Sequence, residues 1–319
     1  MIKRVAGCFR YACRLLGRRI IDRRGLGAKA SAALFGDSYL LRLPFPPSAD
    51  EAPRYGYGRP PHARLQELLS REDHAYRKVL GDFGEYAEAL REIPLDETDP
   101  REPHWRNGFM FGMDGVSLYC FTRKRAPRRY IEVGSGNSTL FVNRARRDGG
   151  VGMDIISIDP HPRREIDSIC DRIVREPLES ADLEIFSILE EGDIVFLDGT
   201  HRVFMNSDAT VFFLDVLPGL PPGVLVGVHD IHLPDDYRPQ HANRHYSEQY
   251  LLACYLLGET TWLRPVLPCW YASHHPELSD LGRSLMPQAF LQAAPLRPRA
   301  ATEEDPHGVI FWLQTEPRR

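Results

Sequence analysis

No stretch of this 319-residue chain approaches the roughly 18 consecutive apolar residues of a membrane span. The N-terminus is basic but lacks both an unbroken apolar core and a small-residue cleavage site, so it does not read as a signal peptide. Cysteine is scarce. The six residues Cys8, Cys13, Cys120, Cys170, Cys254 and Cys269 form no CxxC pair, and their scatter suggests reduced thiols in a cytoplasmic protein. No internal repeat is visible. Basic residues are also short over most of the chain. Residues 1–30 hold nine Lys or Arg against the single acid Asp22, and the remainder carries 31 basic and 43 acidic residues. Such a body lacks the basic footprint needed to bind nucleic acid.

Hydrophobic residues make up 43% of the chain, enough for a large core. Three segments are expected. Residues 1–48 form a basic N-terminal segment, whose Arg14, Arg18 and Arg19 could cover one face of an amphipathic helix on an anionic membrane. The bland reading of that segment is a solvated tail. Residues 49–127 form a helical extension or cover. Prolines from Pro44 to Pro61 make an extended stretch, residues 62–92 have helical spacing, and Asp114 can cap a helix running to about Arg123.

From residue 128 to 319 strands and helices alternate. Strands are expected at Tyr130–Gly134, Asp154–Asp159, Arg172–Arg175, Asp193–Asp198 and Val224–Asp230. Helices are expected near 138–147, 163–171, 182–190 and 204–217, which implies a parallel sheet with helices on both faces. A helix over Ser247–Leu257 ends at Gly258. Thr260–Leu267 and Gly308–Gln314 could add an antiparallel edge. The proline-rich forty residues between them suggest a lid or partner-facing insertion.

The most informative segment is Glu132-Val133-Gly134-Ser135-Gly136-Asn137-Ser138-Thr139. A strand ends at Gly134 and a helix begins near Ser138, so glycine can turn the chain and let a ligand approach the backbone. A second strand ends in Asp159, where an acid in doubly wound sheets reaches ribose hydroxyls. Ligands in such sheets sit beyond the carboxyl ends of the strands, which also brings Asp198, His201, His229 and Asp230 into reach. Each has a plainer use. Asp198 could cap a helix, His201 could be a structural loop residue, and His229 could satisfy backbone groups. His232 is expected to be exposed. Tyr246, Glu248, Gln249 and Tyr250 start the helix after the fifth strand and serve either packing or a substrate pocket, with Tyr250, Cys254 and Leu257 able to share a buried face. Trp105, Asn107 and Asp114 could cover the pocket or simply belong to the core.

The segment Glu132 to Ser138 resembles motif I of the class I S-adenosylmethionine-dependent methyltransferases. Ile158-Asp159-Pro160-His161-Pro162, Phe196-Leu197-Asp198-Gly199-Thr200-His201, Val228-His229-Asp230-Ile231 and Phe311-Trp312-Leu313 are similar to that family's second, fourth, fifth and seventh strands. The nearest subgroup is the bacterial methyltransferase 24 type. The resemblance implies a Rossmann-like seven-stranded α/β sheet in the order 3-2-1-4-5-7-6, with S-adenosylmethionine as cofactor. It implies that Gly134, Ser135 and Gly136 pass beneath the methionine moiety, followed by Asn137 and Ser138. Glu132 would contact the amino end, Asp159 would hold the ribose, and Leu178 and Glu179 would border the adenine. Asp198 would serve both cofactor and chemistry. The acceptor is expected to be a hydroxyl oxygen of a small molecule or glycan, with His201 or His229 taking its proton.

The sequence departs from the pattern at Ser138, where many relatives have a third glycine. Thr139 counts against a nicotinamide cofactor, which wants a small residue there. Other readings are a scaffold that kept the fold without turnover, or a metal-dependent enzyme on the same sheet. Catechol-type relatives take metal ligands from these strand ends, including an Asp-Asn pair. Asp198 and Asp230 could supply two oxygens, but Ile231 cannot ligate a hard cation. Catalysis is therefore expected to need no tightly bound metal.

Overall fold

The computed structural model describes residues 52–293 and 307–318, which belong to one compact unit, Ala52–Arg319. The basic segment 1–48, for which an amphipathic membrane-facing helix or a solvated tail is expected, lies outside the described residues, as do Cys8 and Cys13. Among the described residues no helix is long and apolar enough to cross a membrane.

The centre is a sheet of seven strands: β1 Arg129–Val133, β2 Asp154–Ile158, β3 Arg172–Val174, β4 Ile194–Leu197, β5 Leu225–Val228, β6 Leu263–Pro268 and β7 Phe311–Thr315. Their spatial order is 3-2-1-4-5-7-6. β1 to β5 run parallel and β7 is antiparallel to both β5 and β6. All four residues of β4 and of β5 are buried. That burial explains why these strands read as continuous apolar runs rather than alternating ones. The crossover between β3 and β4 returns the chain to the far side of β1, which puts the carboxyl ends of β1, β4 and β5 side by side, and the loops leaving them build the site.

Helices α1 Ala63–Ser70, α2 Asp73–Asp82 and α3 Ala87–Arg91 precede the sheet. One helical stretch is expected over 62–92; the structure breaks it at Arg71 and in a 3-10 turn at Phe83–Tyr86. Leu65, Leu69, Tyr76, Leu80, Phe83 and Leu90 nevertheless join the main core. Helix α4, Gly112–Arg125, is buried from Gly112 to Thr122 and packs against α5, Asn137–Gly149. Asp114 does not cap α4. It lies within the first turn, and its carboxylate reaches the amides of Val309 and Ile310 ahead of β7, at 2.7 and 2.8 Å.

The Trp312 indole fills space that a side chain at position 227 would occupy. A Cβ on Gly227 would come within 2.7 Å of the ring. The indole Nε1–H donates to Ser117 Oγ of α4 at 2.8 Å.

Four other expectations need correction. Residues 163–171 are turns rather than a helix, and Ile166 is their one buried residue, too little for an apolar stripe. Residues 182–190 hold a 3-10 helix, Leu183–Ile188. Residues 204–217 hold α6, Asp208–Val211, followed by a π turn at Phe212–Val216. The fourth concerns α7, Glu248–Leu257: its buried face is Glu248, Gln249, Leu252, Ala253 and Leu256, while Tyr250, Cys254 and Leu257 face solvent. The insertion after β6 contributes α8 Cys269–His274, α9 Pro276–Ser284 and α10 Gln288–Ala293. Its Leu278, Leu285, Met286 and Phe290 are core residues. Residues 294–306 lie outside the described ones.

Candidate active site

The turn between β1 and α5 is fixed by steric necessity. Gly134 has φ 77°, and a Cβ there would sit 1.9 Å from the carbonyl oxygen of Asp198. Only glycine permits this backbone and this approach. Gly136 also lies at positive φ, and its N–H donates to Thr139 Oγ1 at 3.0 Å. Ser135 donates through its N–H and its hydroxyl to Asp159 Oδ2, at 2.7 and 3.1 Å. His161 N–H donates to Asp159 Oδ1 at 2.8 Å. Asp159 thus ties the glycine turn to the end of β2.

A cavity of about 210 Å³ opens beside this turn, with Gly134, Ser135, Asp159, Leu178, Glu179 and Asp198 in its wall. Gly136, Asn137 and Ser138 are not part of that lining. Nor is Glu132, which is wholly buried under the start of α5. It accepts from Tyr130 Oη at 3.1 Å, from Ser138 Oγ at 2.9 Å and from the Thr139 hydroxyl. Burial outweighs these donors and pushes its carboxyl up to about 8. Ser138, where many relatives of the family have glycine, and Thr139, which departs from the nicotinamide pattern, are thus both partners of Glu132.

Asp198 faces the cavity and a second group of residues at once. Its Oδ1 lies 3.0 Å from His229 Nδ1 and 3.3 Å from His201 Nε2. His201 Nε2 is also 3.5 Å from Asp230 Oδ2. The structure thus brings all four expected catalytic residues together. His201 and Asp230 have φ values of 62° and 54°, uncommon for residues other than glycine, as the chain turns sharply after β4 and β5.

Two carboxylates behind the histidines complete the group. Glu248 Oε1 is 2.5 Å from His201 Nδ1, and Asp114 Oδ2 is 3.7 Å from His229 Nε2, a charge-pair distance beyond hydrogen-bond reach. Both carboxylates are fully buried. Burial drives each imidazole towards neutrality, but the carboxylates outweigh it. Glu248, Asp230 and Asp198 raise His201, and Asp198, Asp230 and Asp114 raise His229, each well above the ordinary histidine value. Burial likewise pushes Asp198 up, and the two histidines overcome it and hold it well below the usual carboxylate range.

Asp208 fixes the loop after β4 by accepting from Thr200 N–H at 2.6 Å and Thr200 Oγ1 at 2.7 Å. Sequence reasoning did not single it out; its position ahead of an apolar run marks it only as a helix-start residue. His232 is fully buried rather than exposed, with its ring 4.8 Å from Trp270 and 5.6 Å from Tyr237. Trp105 packs between Phe141 and Phe290. Asn107 is spent on its own loop, bonding His104 O and the amides of Phe109 and Met110.

Residues 131–231 match a family model described as a methyltransferase domain, the methyltransferase 24 type. Over that third of the chain the sequence is similar to a methyltransferase domain. That match runs from β1 to the residue after Asp230 and so encloses the glycine turn, Asp159, Asp198 and both histidines. No curated protein matches the chain in sequence. Among solved structures the chain is similar to the SAH-bound methyltransferase PaMTH1 of Podospora anserina (13% identity, 79% of this chain and 96% of that one, TM-score 0.38). It is also similar to the O-methyltransferase TomG of Streptomyces achromogenes, in complex with SAM (16%, 80% and 96%, 0.33). A third is an O-methyltransferase of Bacillus cereus in complex with SAH (15%, 80% and 96%, 0.32).

Proposed function

We propose that this chain moves a methyl group from S-adenosylmethionine to a hydroxyl oxygen of a small molecule or glycan. The observation that carries the reading is the position of Asp198, in the wall of the glycine-turn cavity and within 3.0 to 3.3 Å of both histidines. The chain's own residues suit the cofactor. Gly134 puts backbone without a side chain in the cavity wall, and Asp159 Oδ1 accepts one amide and can accept a ribose hydroxyl as well. Leu178 and Glu179 also line the cavity, where they could border the adenine. The bound sulfonium supplies an electrophilic methyl group with a good leaving group. What remains for the protein is to align the acceptor and take its proton, and alignment alone can contribute several kcal/mol. His201 and His229 do the second task once neutral, with Asp198 and Asp230 holding them.

Calorimetry with S-adenosylhomocysteine tests the cofactor half. Asp159→Ala should weaken binding by about 10- to 100-fold, the loss of one charge-assisted hydrogen bond. Unchanged affinity in the folded variant would move the ribose elsewhere. Metabolomics with a labelled methyl donor, comparing wild type and knockout, identifies the acceptor. A chain that binds the cofactor and yields no S-adenosylhomocysteine with any acceptor is a scaffold instead.

A second reading makes the cluster a metal centre. Ligand atoms of Asp198, His201 and His229 all lie within 4.8 Å of one another, and two imidazoles with a carboxylate suit zinc, iron or manganese. We favour the metal-free route, because each histidine is already held by carboxylates. Turnover should survive exhaustive chelation; loss that one metal restores would recast these residues as ligands. For the whole protein we propose a cytoplasmic setting, with residues 49–127 as the cover. The nine basic residues among the first 30 would supply contact with anionic membranes.

A further inference from the structure

The N-terminal end of α7 carries two polar residues that point into the protein, and each holds a different loop of the site. Gln249 Oε1 accepts the amide of His232 at 2.9 Å, which anchors the loop after β5. Glu248 meets His201 Nδ1 at 2.5 Å, in the loop after β4. The first contact is ordinary amide bonding. The second is a buried carboxylate, and its presence needs a reason.

Glu248 is 0% exposed. Burying a carboxylate costs several kcal/mol unless it is paired, and an apolar residue of similar volume is often as stable. Packing does not require it, because Leu252, Ala253 and Leu256 already supply the apolar face of α7. Its Oε2 has no hydrogen-bond partner among the described residues, so Oε1 and His201 account for its bonding there. The loop around His201 is held to the same helix start by two further bonds. Ser247 N–H donates to His201 O, and Val203 N–H donates to Ser247 Oγ, both at 2.8 Å. The ring of Tyr246 lies 4.6 Å from the imidazole. With the backbone fixed and one ring face covered, the remaining freedom of His201 is the orientation of its ring and the nitrogen that keeps the proton. A carboxylate on one ring nitrogen settles both.

We propose that Glu248 is a positioning residue that holds the Nδ1–H of His201 and thereby presents Nε2 to Asp198 and Asp230. This rests on the reading of His201 as a group that meets the acceptor. The proton taken from the acceptor hydroxyl goes to Nε2, while Nδ1 keeps its own proton throughout. Glu248 touches neither cofactor nor acceptor; it acts through His201.

The test uses the full chain with histidine labelled by ¹⁵N in the ring; its tautomer readout needs no acceptor, and its turnover readout uses the acceptor that metabolomics identifies. Long-range ¹H–¹⁵N correlations give the tautomer of each imidazole, and the His201 signals are those that vanish in His201→Gln. In the wild type, as the neutral ring emerges at alkaline pH, His201 should carry its proton on Nδ1. A wild-type His201 protonated on Nε2 overturns the proposal without recourse to any variant. In Glu248→Gln the neutral ring should become a mixture of tautomers. Turnover should fall by 100-fold or more, with KM for S-adenosylmethionine within twofold and partial recovery in Glu248→Asp. An unchanged tautomer and an unchanged kcat in a folded Glu248→Gln protein would also overturn it. Calorimetry with S-adenosylhomocysteine separates the two readings. A chain with the Nδ1–H tautomer that binds no S-adenosylhomocysteine retains the positioning pair and loses the methyl-transfer function.

Discussion

Glu132 and His201 show how burial and neighbours set opposite demands on single residues. The Glu132 carboxyl titrates at about 8 in the folded chain, against an ordinary value of 4.5. Its folded-state value is raised, so the folded protein holds a proton that the unfolded chain has released. The corresponding stability is present below about pH 4.5 and lost as pH rises through 8. Thermal melts should therefore show a fall in Tm between pH 5 and 8 that is flattened in Glu132→Gln; parallel curves would mean that Glu132 ionises normally. His201 and His229 are raised as well, because the carboxylates around them outweigh burial and favour the imidazolium form. Proton abstraction needs the neutral ring. Turnover should climb with pH through a value above 6.5, and His201→Ala or His229→Ala should lower it by about 100- to 10,000-fold. A rate that is flat from pH 6 to 9 in the wild type would deny both histidines the role of base.

At the scale of elements, Asp114 connects α4 to the approach of β7. Its Oδ1 accepts the amides of Val309 and Ile310, both buried. Asp114→Ala leaves these two donors without a partner, at a cost of about 1–3 kcal/mol each. Urea unfolding should register a loss in that range or up to twice it, whereas a loss below about 1 kcal/mol would show that water replaces the carboxylate. The strands were readable because β1, β2, β4 and β5 are short apolar runs ending in Gly or Asp, and their boundaries shift by only a residue or two. The helix expected over 163–171 was not, because charge spacing there imitates a helix that has one buried residue. The face of α7 was misassigned for a related reason. Glu248 and Gln249 are polar, and periodicity places polar residues outside, whereas here the loops after β4 and β5 supply their partners. The same blind spot hid His232. The glycine turn and the strand-end residues were legible because steric and positional rules act locally; Asp114 and Glu248 stood out only as residues of a helix start or a pocket cover, and they reach the histidines from 115 and 47 residues away, a pairing no local pattern marks.

At the scale of the whole molecule, the residues before the sheet and the sheet share one core. Phe83 meets Phe121 at 5.0 Å between ring centroids, and Phe121 meets Trp312 at 4.9 Å. This chain of rings runs from the N-terminal helices through α4 to β7. A fragment beginning at residue 128 would lose α4 and expose Phe141, Trp312 and their neighbours, a surface that promotes aggregation. The full chain is expected to melt residues 52–319 in a single transition, and the fragment to be insoluble. A soluble, cooperatively melting fragment would make the cover an independent domain.

The indole of Trp312, sealed at 0% exposure and bonded to Ser117, also gives the protein an optical gauge. Three other tryptophans, Trp105, Trp262 and Trp270, accompany it in the chain. Trp312 alone sits in the hollow left by Gly227, between the strand that leads to His229 and the helix that carries Asp114. Its emission should be blue-shifted and shielded from aqueous quenchers while that junction is closed. A red shift would report its loosening before the rest of the fold gives way, so a single fluorescent side chain can follow the seam on which the two histidines depend.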